Sequence, residues 1–129
     1  MIKIPFTLTA AQVDALETTA VTVFAFPTSE EIVYLPERLV VSRAAGTGYT
    51  ASADARFEVY DEDGTIWFSF PASGLLSGSS AAFRVAKSGA GALSSANTAL
   101  SVRIAGGTIS GTGVSVSGYV EATPVVGRL

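Results

Sequence analysis

The feature that most limits what this chain can fold into is a two-residue alternation near its C-terminal end. Leu100, Val102 and Ile104 alternate with Ser101, Arg103 and Ala105, and Val114, Val116, Gly118 and Val120 alternate with Ser115, Ser117, Tyr119 and Glu121. Successive side chains of a strand point to opposite faces, so these runs have one face for a core and one for solvent. Further runs of strand composition are Val21–Phe26, Glu31–Leu35, Arg38–Arg43, Ala55–Tyr60, Thr65–Phe70 and Ala82–Lys87, set apart by turn residues. About eight short strands at this spacing predict an all-β chain, an antiparallel β-sandwich or barrel.

One departure stands near the start. Thr9 followed by Gln12 has the form of a capping box, which predicts a short helix over Ala10–Leu16. Residues 1–17 are read as an N-terminal arm carrying that helix, and residues 18–129 as a single β-sandwich domain. The Gly/Ser-rich pieces "SGLLSGSS" and "KSGAGALSSAN" are short enough to be loops within it.

Composition narrows the class further. With 129 residues, 48% of them hydrophobic, the chain can supply one core. Only 15% are charged, against about 25% in ordinary soluble domains, so much of the surface is weakly polar. Such a surface is poorly protected against association and suits a subunit covered by neighbours. The net charge is −3 and the eight basic residues are scattered, which argues against nucleic-acid binding. No run approaches the ~20 apolar residues of a membrane span. "MIKIPFTLTAAQ" lacks the apolar centre of a signal peptide, so use without Sec export is expected.

The chain has no histidine and no cysteine. Ser-His-Asp and Cys-His nucleophilic sites are thereby excluded, as are thiolate zinc sites and disulfides. A Ser-Lys pair has no support, since Arg84 stands three residues before Lys87. "GTISGTG" from Gly107 lacks the lysine of a phosphate-binding loop, and "GTGYT" from Gly46 lies between strands, so both read as turns. No catalytic, cofactor-binding or metal-binding residues are expected.

The segment "YDEDGTIWFSF" offers more. Asp61, Glu62 and Asp63 have the oxygens for a hard cation, but the spaced acidic ligands of a calcium loop do not follow. Asp63-Gly64 instead suits a two-residue hairpin turn. That loop sets Glu62 opposite Thr65, Tyr60 opposite Trp67, Val59 opposite Phe68 and Phe57 opposite Phe70. A three-residue loop would flip the parity and bring Arg56 and Glu58 onto the face of Phe68 and Phe70. The two-residue register turns Tyr60 and Trp67 away from the core, where they need a cover. Either another part of the chain packs over them, or a second subunit does, since Trp and Tyr are enriched at interfaces.

The order "IVYLPERLVVSRAAGTGYTASADARFEVYDEDGT" followed by "ANTALSVRIAGGTISGTGVSVSGYVEATPV" resembles a family of small all-β virion proteins of tailed bacteriophages. The matching pieces are Gly46–Thr50, Phe57–Tyr60 and Asn97–Val120, within a resemblance that covers about Ile32–Val120. It implies a jelly-roll-like sandwich used as a head decoration or cement protein, typically a homotrimer, on the outer surface of a capsid assembled in the host cytoplasm. The implied partner is the major capsid protein. Tail or baseplate use, or a carbohydrate- or receptor-binding module, are the alternatives. Trp67, Tyr60, Ile2, Ile4 and Phe6 are the candidate interface residues, the last three on an arm expected to reach a neighbour.

Overall fold

The computed structural model describes residues 2–24, 32–46, 48–61, 64–77, 82–87, 99–111 and 114–126. The expected loop beyond Lys87, the stretch 25–31 and the turn residues Glu62 and Asp63 lie outside them. Among the described residues the chain forms ten strands and two short helices, an all-β protein in antiparallel sheets.

In chain order the elements are β1 (Ile2–Leu8), α1 (Ala10–Asp14), β2 (Val21–Phe24), β3 (Ile32–Arg43), β4 (Thr50–Ala51) and β5 (Arg56–Tyr60). They continue with β6 (Ile66–Pro71), α2 (Ser73–Leu76), β7 (Ala82–Lys87), β8 (Leu100–Ala105), β9 (Ile109–Ser110) and β10 (Val116–Val126). One four-stranded sheet has the order β1-β10-β3-β7, a second has β2-β8-β5-β6, and β4 pairs with β9. The alternation read from Leu100–Ala105 holds residue by residue: Leu100, Val102 and Ile104 are buried, and the residues between are half-buried.

A single apolar cluster joins both four-stranded sheets. Phe6, Leu8, Leu39, Val41, Val116 and Val120 enter it from the first, and Phe57, Val59, Phe68, Phe70, Val102 and Ile104 from the second. Phe57 and Phe70, cross-strand partners, stack with ring centroids 5.0 Å apart. Gly118 sits where β10 crowds β3. A Cβ there would stand 2.1 Å from the Val40 carbonyl oxygen, so only glycine fits without moving the strand.

The N-terminal segment is part of this architecture, which corrects its reading as an arm. Ile2–Leu8 pairs along its whole length with β10, from Ile2 opposite Ala122 to Leu8 opposite Val116. Phe6 and Leu8 are buried, and Ile4 packs against the core. Pro5 is tolerated because β1 is an edge strand among the described residues. The capping box forms as expected: the Thr9 hydroxyl accepts from the Gln12 amide at 3.2 Å, and Gln12 Oε1 accepts from the Thr9 amide at 2.9 Å. Helix α1 ends earlier than expected, yet Val13 and Leu16 are both buried, and the Leu16 carbonyl accepts from the Ile104 amide.

Two other expectations change. The separate strands Glu31–Leu35 and Arg38–Arg43 are one strand, β3, with Glu37 as the extra residue where the register to β10 shifts. That irregularity absorbs Pro36, whose missing N–H would break a regular ladder. The loop read into "SGLL" is helix α2, which buries Leu75 and Leu76 against the core.

Leu8→Ala should cost about 2–5 kcal/mol, the range for emptying a fully buried leucine site, read as a lowered urea midpoint at unchanged slope.

Candidate functional site

The stretch with the most chemical promise in the sequence proves to be a keyed hairpin. The Asp61 amide donates to the Thr65 carbonyl, and the Gly64 amide donates to the Asp61 carbonyl, both at 3.0 Å. The loop therefore holds three residues, 62–64, and Gly64 takes φ +84°, the left-handed conformation that closes this turn. A three-residue loop shifts the strand parity, and β6 restores it with one extra residue. Tyr60 faces Ile66, Val59 faces Phe68 and Phe57 faces Phe70, so Trp67 is the residue left over.

The bulge decides the fate of the candidate aromatics. Trp67 turns into the core, 2% exposed, and its indole N–H donates to Asp61 Oδ2 at 3.0 Å. Asp61 Oδ1 accepts from the Thr65 amide at 2.9 Å. The carboxylate is thus an internal acceptor for its own hairpin, and Trp67 belongs to the chain's own core instead of an intersubunit contact. Among the described residues no group of three or more acidic side chains could hold a metal ion. Phe6 is likewise buried and Ile4 half-buried beneath the pairing of β1 with β10, so neither is displayed on an arm. Of Ile2 the structure describes the strand position alone.

Tyr60 remains on the outward face, and its surroundings are built from the register. Glu58 lies opposite Arg103, and Arg103 Nε donates to Glu58 Oε1 at 2.9 Å. The same guanidinium lies over the Tyr60 ring, 4.1 Å from its centroid. Arg56 Nε donates to Ser69 Oγ at 2.7 Å, and the hydroxyls of Thr22 and Ser101 are hydrogen-bonded at 3.2 Å. Among the described residues the outer face of β2-β8-β5-β6 is therefore a mainly polar surface with two arginines, one tyrosine and, on the edge strand β6, Ile66.

At one end of the fold a second polar cluster ties three segments together. Arg43, buried at the end of β3, donates to the carbonyls of Ala44, Leu76 and Gly46 at 3.0, 3.0 and 3.1 Å. Tyr49, also buried, donates its hydroxyl to the Asp14 carboxylate, and its amide donates to the Leu76 carbonyl at 2.9 Å. The "GTGYT" loop is thereby fastened to α1 and α2. Burial pushes the Tyr49 phenol up to about 12, and the hydrogen bond to Asp14 acts in the same direction. Beside α1 a groove is lined by Ala11, Gln12, Ala15, Thr19 and Val21, and among the described residues no titratable side chain lines it for acid-base work.

No helix among the described residues is long and apolar enough to cross a membrane. Compared with known protein families, curated proteins and solved structures, the chain matches none.

Asp61→Ala should lower stability by about 1–3 kcal/mol, because it strands a buried indole N–H and a turn amide. In the dilute wild-type protein Trp67 emission should be blue-shifted and protected from quenchers; a solvent-like spectrum would contradict its place in the core. A raised phenol pKa favours the folded state while the hydroxyl is neutral. The Tyr49 contribution is full below about pH 10 and is lost between about pH 10 and pH 12. Stability of the wild type should accordingly fall more steeply over that window than that of Tyr49→Phe, measured by denaturant titration at each pH.

Proposed function

We propose that the chain is a non-enzymatic structural protein of a tailed-bacteriophage particle, a jelly-roll capsid decoration or cement subunit that binds the assembled head shell from outside. The observation that carries this reading is the strand order. The orders β1-β10-β3-β7 and β2-β8-β5-β6, with antiparallel pairing, support the reading of a double-sheet jelly roll, an architecture common in viral shells. The sequence resemblance to phage virion proteins supports the same assignment, as does a surface with few charges. Because a fold does not fix a function, the assignment stands on these features together.

The physics of such a subunit needs no reactive residue. A protein that binds only the assembled lattice stabilises it by mass action, and a homotrimer engages several capsid subunits at once. The partner is then the major capsid protein. A carbohydrate-binding reading would want exposed aromatic platforms, and the burial of Trp67 removes the foremost one.

The test is co-sedimentation of the purified protein with mature shells that lack it, alongside purified tails. Saturable binding to shells and a raised shell-disruption temperature are expected, with the free protein sedimenting as a trimer. Binding to tails alone would favour the tail component, and binding to neither would overturn the assignment.

A further inference from the structure

Among the described side chains, the two outward sheet faces differ in how their charges are satisfied. On the β1-β10-β3 side, Arg38 pairs with Glu121, Lys3 lies 4.9 Å above the Tyr119 ring, and Thr123 donates to Glu37. Each of these charges has a local partner. On the β2-β8-β5-β6 side, Thr22, Ser101, Tyr60 and Ile66 share one row, and Arg103, Glu58 and Ser69 the next. Arg56 follows Glu58 on the same face, two residues along β5. Glu58 is engaged by Arg103, its side chain only 12% exposed, whereas Arg56 has no carboxylate within ion-pair distance among the described residues. Among the described residues this face therefore carries one positive charge without an ion-pair partner, on a chain whose net charge is −3.

The apolar element lies in the same place. Ile66, 39% exposed, is the large hydrophobic residue left in solvent among the described residues, and it stands directly opposite Tyr60. Tyr60 is held under Arg103, so little side-chain freedom remains to be lost on contact. Tyr and Arg beside an apolar knob are the residue types that dominate interface energetics.

We propose that this outward face, centred on Tyr60, Ile66, Arg56 and Arg103, docks the chain onto a carboxylate-bearing protein surface of the shell. The inference rests on the decoration reading and names its contact surface. Arg56 uses Nε on Ser69, which leaves its Nη donors to receive a carboxylate. A second copy of this chain does not fit. Two such faces meeting about a two-fold axis would bring four arginines together against two glutamates already engaged, and like charges in register repel. An acidic patch flanking an apolar pocket matches both the excess charge and Ile66.

The experiment uses shells lacking the chain as probe, with wild type, Arg56→Glu, Ile66→Ser and the double variant, each at two salt concentrations. Both side chains are exposed, so melting curves of the variants should overlay the wild type. The double variant is expected to bind at least tenfold more weakly, and raised salt should weaken the wild type more than Arg56→Glu. Wild-type binding with the double variant within threefold would overturn the docking surface while leaving the decoration reading standing. Failure of the wild type to bind would overturn both. Loss of self-association in the double variant, with shell binding intact, would make this face a contact between copies and also overturn the proposal.

Discussion

The rest of the structure depends on the closure of the two ends of the chain on each other. Strand β1 lies antiparallel along β10, and β10 lies along β3, so the first strand completes a sheet whose centre is formed by the last. Phe6 and Leu8 then reach Val116 and Val120 from more than a hundred residues away in sequence. Closing so long a loop costs entropy that only burial can offset, and a run this rich in apolar positions supplies it. Without β1, β10 would lose a partner along seven positions and the core would lose a wall.

Within the second sheet, regularity survives because two irregularities cancel. A three-residue loop at 62–64 shifts β5 against β6 by one residue, and the bulge at Trp67 shifts it back. Either alone would place Arg56 and Glu58 on the face of Phe68 and Phe70. Together they keep that face apolar and give Trp67 and Asp61 to each other. The outward surface of the same sheet keeps Tyr60, Arg103, Arg56 and Ile66, the residues proposed to meet a partner.

How much of this was legible in the sequence follows from the range of each interaction. The alternation of Leu100–Ala105 was readable because its period is local, whereas the pairing of Phe57 with Phe70 was expected from a two-residue turn that the chain does not form and holds because the bulge at Trp67 offsets the longer loop. So was the capping box at Thr9 and Gln12. The strand at Ile2–Leu8 carried the same signal, with Ile2, Ile4, Phe6 and Leu8 alternating with Lys3, Pro5 and Thr7, but a proline in the middle masks an edge strand. Trp67 was misplaced because a compensated bulge leaves no mark on the pattern at either side. The cluster of Arg43, Tyr49 and Asp14 joins residues up to thirty-five positions apart, and nothing local announces it. Tyr60 kept its outward place, yet its cover by Arg103 comes from another strand.

Amide hydrogen exchange on the isolated protein tests the end-to-end closure most directly. If β1 is a wall of the core, the hydrogen-bonded amides of residues 2–8 exchange as slowly as those of β10 and β3, through a common global opening. Exchange of residues 2–8 at unprotected rates, while β10 and β3 remain protected, would mean that the fold closes without them and would contradict the account.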